Sequence, residues 1–251
     1  MGRLKKWAAI LAVAVFYVVS WRLAQVDPAR LVTGLPKLLH WLAVGWPPKT
    51  DELPLILLRT GETIAMAAIG TTLATVLAIP TAVLASRNIT PLPWLYFPTR
   101  WFLNGLRGID SFVFALLFVA SVGLGPFAGV LGIGLHTWGS AAKLMADHIE
   151  NVDLGAMEAV ETTGAGRLTA IAYALVPEIL PVFLSTTLFW WEFNVRASTV
   201  LGVVGAGGIG QELKNSVDLL DFQRLFTILA VILVVVTALD QLSGWLRRRL
   251  T

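Results

Sequence analysis

The chain is written in long apolar runs broken by short polar clusters. Six runs stand out: Trp7–Trp21, Thr63–Ala85, Ser111–Gly125, Phe127–Ala142, Ile171–Trp191 and Leu225–Leu239. A helix needs about 20 mostly apolar residues to cross a bilayer. The runs lack the strict alternation of a half-buried strand. The pattern therefore predicts an all-α polytopic membrane protein with six transmembrane helices. Pro80 falls inside the second span, which membrane helices tolerate.

The polar stretches divide the chain. Residues 24–60 are mixed and hold Pro28, Pro36, Pro47, Pro48 and Pro54. LPKLLHWLAVGW (35–46) is too short to span and suits an interface, where tryptophan is comfortable. Residues 93–107 read as an interfacial helix leading into the third span. Lys143–Arg167 reads as a long polar connection. Basic clusters mark both ends, GRLKK (2–6) and LRRRL (246–250). Such clusters flank spans on the cytoplasmic side, so both termini are expected inside. Counted with the termini, Lys and Arg divide almost evenly between the two sides, with Arg100 and Arg107 ambiguous, and the orientation rests on the termini. The expected organisation is an N-terminal helix with a periplasmic interfacial segment over 1–50, then a transmembrane domain over 51–251.

Composition agrees. Apolar residues make up 56% of the 251-residue chain and charged residues 14%, against about 25% charged in soluble domains. Mean hydropathy is +0.74. There is no cysteine, which excludes disulfides and thiolate chemistry. His40, His136 and His148 form no H-E-x-x-H pattern, so no metal site is expected. The net charge of +3 comes from clusters beside apolar runs, not from a basic face for nucleic acid.

TVLGVVGAGGIGQEL (199–213) contains a G-x-G-x-x-G pattern at Gly205, Gly207 and Gly210. A dinucleotide turn needs a strand before it, a helix after it and an acid about 20 residues on. There the chain reads TILAVILVVVTAL (227–239), with no acid. The glycines, Gly202 and Gly208 among them, instead weaken any continuous helix, by roughly 1 kcal/mol each against alanine. A kink or non-helical turn is expected.

Just upstream, FWWEFNVRAST (189–199) puts Glu192 and Arg196 four apart, on one helix face. Two readings stand: a salt bridge near the headgroups, or Arg196 with Asn194 facing an aqueous path and meeting an anionic solute. Asp110, entering the third span, is expected to pair with Arg107 or to face the cavity in a gating role. Asp240 reads as interfacial.

The polar connection contains LGAMEAVETTGAGRLTAIAYALVPEILP (154–181). Asp153 suits the cap of a short helix carrying Glu158, Ala159 and Val160. Gly164 and Gly166 end it, with Ala165 between them. A second helix starts near Arg167, and Pro177 opens the next span. Small residues fit a helix that docks closely into another protein.

This segment resembles the coupling motif of ABC importer permeases, E-A-A-x3-G-x9-I-x-L-P. Glu158, Ala159, Gly164 and Pro177 occupy pattern positions; Val160, Ala174 and Val176 are apolar replacements. With VFALLFVASVGLGPFAGVLGIGLHT (113–137) and NVRASTVLGVVGAGGIG (194–210), the chain from about residue 50 onward resembles phosphonate- and phosphite-type permeases. The resemblance implies the methionine-importer-like permease core, with a coupling segment over 153–177. It implies a homodimer in the bacterial inner membrane. Two copies of a separate ATPase would carry ATP and Mg, and a periplasmic or lipoprotein binding protein would hold a phosphonate, phosphite or hypophosphite. The chain has no G-x-x-x-x-G-K-[ST] sequence, so it is not expected to bind ATP or to be an enzyme. Glu158, Ala159, Val160, Gly164, Ala165, Arg167 and Pro177 would serve coupling. Glu192, Asn194, Arg196, Asp110, Gly205, Gly207 and Gly208 would serve the path or its gate. A permease for another small solute, such as an amino acid, is the alternative. A passive channel would need no coupling segment, and an intramembrane hydrolase would need a nucleophile–base pair not evident here.

Overall fold

A computed structural model describes residues 2–250. Every regular element among them is helical. Two compact units divide at Pro47/Pro48.

The first unit holds α1 (Gly2–Leu23) and α2 (Pro28–Val44). α1 exposes Trp7, Leu11, Phe16 and Tyr17, an apolar surface suited to lipid. α2 begins at Pro28, whose missing N–H costs nothing in a first turn. Asp27 caps it, its Oδ1 accepting from the Ala29 amide at 2.9 Å.

The second unit contains α3 (Leu53–Leu84), α4 (Tyr96–Gly108), α5 (Ser111–Val122), α6 (Pro126–Asn151), α7 (Gly155–Thr162), α8 (Arg167–Ala170), α9 (Val176–Leu201), α10 (Ile209–Asp218) and α11 (Phe222–Leu250). A wide π turn, Ile171–Leu175, joins α8 to α9.

α6 is the hub. In lipid no hydrophobic force draws helices together, so small residues that admit close approach do the work. A Cβ on Gly132 would lie 2.7 Å from the Ala115 amide nitrogen, and one on Gly139 2.6 Å from Leu106 Cβ. These two glycines seat α5 and α4. Gly70 of α3 meets Ile133 in the same way, at 2.9 Å. At one end of the unit, Ala82, Leu103, Met145, Ile149 and Leu175 form a core joining α3, α4, α6 and the π turn, with Ile179 and Phe183 of α9 packed against it. At the opposite end Ile56, Ile209 and Ile228 join α3, α10 and α11.

Among the described residues, four helices are long and apolar enough to cross a membrane: Lys5–Leu23, Leu53–Leu84, the α8–α9 stretch Arg167–Val204, and Phe222–Arg249. α4 and α5 make a fifth if they count together, with an 85° bend between them. α6, read from the sequence as a span over Phe127–Ala142, is not among them. Its helix runs on through Lys143, Asp147 and Glu150 to Asn151, so the polar connection begins nine residues later than Lys143 suggests. α3 likewise starts ten residues before Thr63. In both cases charges that read as loop are helical, because partners distant in sequence neutralise them.

Candidate functional site

The segment 153–177 forms a compact hairpin. Asp153 Oδ1 accepts the Gly155 amide at 3.0 Å at the start of α7. Met157 is buried on the inner side, whereas Glu158 and Ala159 are exposed on the outer side and Val160 is half-buried. Gly164 makes the turn with φ +86°, a conformation that strains any residue with a Cβ. Ala165 is half-buried, and Arg167 and Pro177 are exposed. Arg167 does more than start α8: its guanidinium donates to the Asn88 carbonyl at 2.8 Å. Asn88 Nδ2 in turn donates to the Ile149 carbonyl at 2.7 Å. Arg100 completes this knot, donating to Asp147 at 3.0 Å, to Glu150 at 2.7 Å and to the Ala85 carbonyl at 2.9 Å. The hairpin is thereby tied to the ends of α3, α4 and α6.

A charged seam joins α9 to α11. Arg196 donates to Glu192 at 2.9 Å and to Asp240 at 3.2 Å. Arg247 donates to the other Glu192 oxygen at 2.9 Å. The i, i+4 spacing made the first pair legible. Asp240 and Arg247 lie 44 and 55 residues away from their partners, and only their position on an apolar helix hinted that they needed company.

Asn194 and Arg196 do not share a face. Two residues along a helix turn through about 200°, and Asn194 is fully buried on the opposite side. Its Nδ2 donates to Thr71 Oγ1 at 2.8 Å and to Thr137 Oγ1 at 2.9 Å. It locks α9 to α3 and α6. Of the two roles expected of Asp110, the pair with Arg107 is not formed among the described residues; its carboxylate caps α5, accepting the Phe112 amide at 2.8 Å.

The glycine-rich segment is a tight reversal between α9 and α10. Residues 199–201 finish a helix and Gly202–Val204 form a 3-10 turn, so no strand precedes the glycines. Gly205, Gly207 and Gly208 have φ of +87°, +78° and +70°. A Cβ on Gly202 would lie 2.5 Å from the Gln211 amide nitrogen, and one on Gly210 would fall onto the Thr199 carbonyl. Two anchors hold the reversal: the Gly125 amide donates to the Gly205 carbonyl at 2.9 Å, and the Ile209 amide to Thr63 Oγ1 at 2.8 Å.

Beside it lies a network the sequence did not announce. Glu212, nearly buried, accepts from Arg224 at 2.7 Å and lies 3.4 Å from Arg59. Arg59 also pairs with Glu62 and Arg224 with Glu52, each at 2.8 Å. Asp221 accepts from Lys49 Nζ at 3.0 Å. That bond, with the Arg224 amide, holds the Asp221 carboxyl below its ordinary value.

Buried polar clasps, charges paired between apolar helices and an exposed small-residue hairpin define a helical membrane-protein bundle, not a nucleotide-binding α/β domain. Known proteins place it further. The chain is 46% identical over 98% of its length to HtxC of Stutzerimonas stutzeri, a permease protein named for phosphite transport, covering 87% of that protein. It is 36% identical over 96% of its length to the phosphite transport system permease protein PtxC of the same organism, covering 90% of it. A chain of the MetNI methionine ABC transporter shares its fold, with TM-score 0.70 at 21% identity over 81% of this chain and all of the other. Residues 74–251 match the binding-protein-dependent transport system inner membrane component, and the chain belongs to that family.

Proposed function

We propose that this chain is the transmembrane subunit of an ATP-driven importer for phosphite or a related phosphorus oxyanion, hypophosphite or a phosphonate. The observation that carries the reading is the 46% identity to HtxC over nearly the whole chain. Two copies would pair about a two-fold axis and enclose the path. α6 would make the sixth crossing, with both termini cytoplasmic in a bacterial inner membrane. The first 50 residues would add one crossing and a periplasmic interfacial helix to the core over 51–251.

Two ATPase subunits, which would bind ATP and Mg, would seat the hairpins. Glu158 is exposed on α7, free to meet a basic residue, and Ala159 beside it suits a shallow pocket. ATP-driven closure would pull the hairpin, and the Arg167–Asn88 bond would pass the pull to α3 and α6. A binding protein would deliver the anion at the opposite end, near the glycine reversal. The path would open alternately to the two sides, a switch between two packings of one bundle. Glu192 and Arg196 would hold α9 to α11 during that change, with Asn194 as the fixed point. Gly205, Gly207 and Gly208 would let the reversal bend.

The test is uptake into proteoliposomes holding the assembled complex, its binding protein and internal ATP. Phosphite, hypophosphite, methylphosphonate and methionine are offered in turn. Uptake of a phosphorus oxyanion that stops in Glu158→Arg supports the reading. Uptake of methionine alone, or flux without ATP, refutes it.

A further inference from the structure

A span that breaks inside a membrane must bury the freed backbone groups in protein or show them to water. α4 and α5 break by 85° at Ile109 and Asp110. α6 covers one side of the break. Gly132 and Gly139 seat the two halves, and between them His136 Nδ1–H donates to the Ile109 carbonyl at 2.9 Å. The other side is uncovered. Ile109 is 40% exposed, and Arg107, Gly108 and Asp110 are exposed with it. The break lies level with Gly132–Gly139 of α6, and α6 at this level packs on Gly70 and Leu77 of α3. That is the middle of the uncharged run Thr63–Ala85.

A cation there is costly, about 2.5–3.5 kcal/mol at a helix centre on insertion scales. The other cations of α3, α4, α6 and α9 have carboxylate partners: Arg59, Arg100, Lys143 and Arg196. Arg107 has none among the described residues, and no hydrogen-bonded partner of its side chain. Asp110, three residues on, is occupied in capping α5. An unpaired guanidinium beside uncovered backbone requires water.

We propose that the uncovered side of the α4–α5 break lines the solute path, and that Arg107 is the cation that meets the oxyanion. The inference rests on the importer function proposed above. Arg196 has the right charge but is held by two carboxylates. Arg107 offers a free planar fork of donors, which matches two oxygens of a tetrahedral phosphorus anion. In a homodimer the two-fold mate brings a second Arg107 to the same path.

The absence of cysteine makes single-thiol variants of this chain clean probes in the assembled complex. Arg107→Cys is expected to react with an anionic, membrane-impermeant methanethiosulfonate. Leu233→Cys, 68% exposed on the apolar surface of α11, is expected not to react. Arg107→Gln is expected to lower phosphite uptake about tenfold or more while complex yield stays unchanged, and Arg107→Lys, which keeps the charge but not the fork, to recover only part of it. Normal uptake by Arg107→Gln overturns the inference. So does an Arg107→Cys thiol as inert as that of Leu233→Cys. A wild-type complex that moves no phosphorus oxyanion refutes the proposed function instead, and the labelling contrast still decides whether the break faces water.

Discussion

Glu192→Gln tests the reading of the α9–α11 seam. The Glu192 side chain is 11% exposed and accepts from two guanidinium groups, Arg196 and Arg247, each at 2.9 Å. Hydrogen bonds to charged groups contribute about 1.5–3 kcal/mol each. Stranding a fully buried charge costs about 3–5 kcal/mol. Here Arg196 keeps Asp240, Arg247 keeps the Ser243 carbonyl, and the two cations are 43% and 32% exposed, so much of that penalty is recovered. Glutamine also keeps one oxygen to accept a bond. The expected loss is about 2 kcal/mol. Arg196→Gln is milder. Glu192 retains Arg247, and Asp240 is 44% exposed, so its loss of a partner costs about 1 kcal/mol. The assay is reversible unfolding of the purified complex in mixed detergent micelles, followed by tryptophan fluorescence, with the double variant closing a thermodynamic cycle. The reasoning fails if Glu192→Gln is within about 0.5 kcal/mol of wild type, or if Arg196→Gln is the more damaging change.

Three further outcomes follow from the packing and the charges. Gly139→Leu should disrupt the seat of α4 on α6, since even a Cβ falls 2.6 Å from Leu106 Cβ; yield of folded complex should drop severalfold, whereas Gly105→Leu, which meets nothing within 4 Å, should not change it. Arg167→Ala should leave ATP hydrolysis running but lower the solute moved per ATP, because it cuts the 2.8 Å bond from the hairpin to Asn88; an unchanged ratio would dismiss Arg167 as a strut. Asp221 has a carboxyl pKa below its ordinary 3.8 because of Lys49 and the Arg224 amide, so its stabilisation is present above that value and lost as pH falls through the depressed one. Asp221→Asn should therefore flatten the acid limb of a stability–pH profile below about pH 4, a small effect because the group is 30% exposed.

The apolar runs were legible because a spanning helix must satisfy its own backbone and leave its side chains greasy. Charges beyond their ends misled. Arg59 and Glu62 read as loop before α3 yet lie on it, because Arg59 pairs with Glu62 and with Glu212, more than 140 positions away, whose carboxylate Arg224 shares. Lys143 and Asp147 read as a polar connection yet continue α6, because Arg100 and Lys143 neutralise Asp147. Pairing across the fold is invisible to a sequence window.

The same division runs through the site. The hairpin was legible because glycines, an Asx cap and a small-residue helix are local features. The Glu192–Arg196 pair was legible from one helical turn. That Asn194 points away from Arg196 followed from the helical period and was open to the sequence reader. The solitude of Arg107 was not: its spacing from Asp110 suggested a pair, and only the break at Ile109, with Asp110 capping α5, undoes it. His136 gave no sign of its task, since the carbonyl it serves belongs to a break 27 residues upstream.

The most direct test of the central claim is the mass of the intact assembly. The chain, co-expressed with its ATPase and gently extracted, should appear in native mass spectrometry as two copies with two ATPase subunits, and Glu158→Arg should shed the ATPases while leaving the dimer of this chain. A chain that never carries an ATPase, or that assembles as a ring of itself alone, would contradict the importer account.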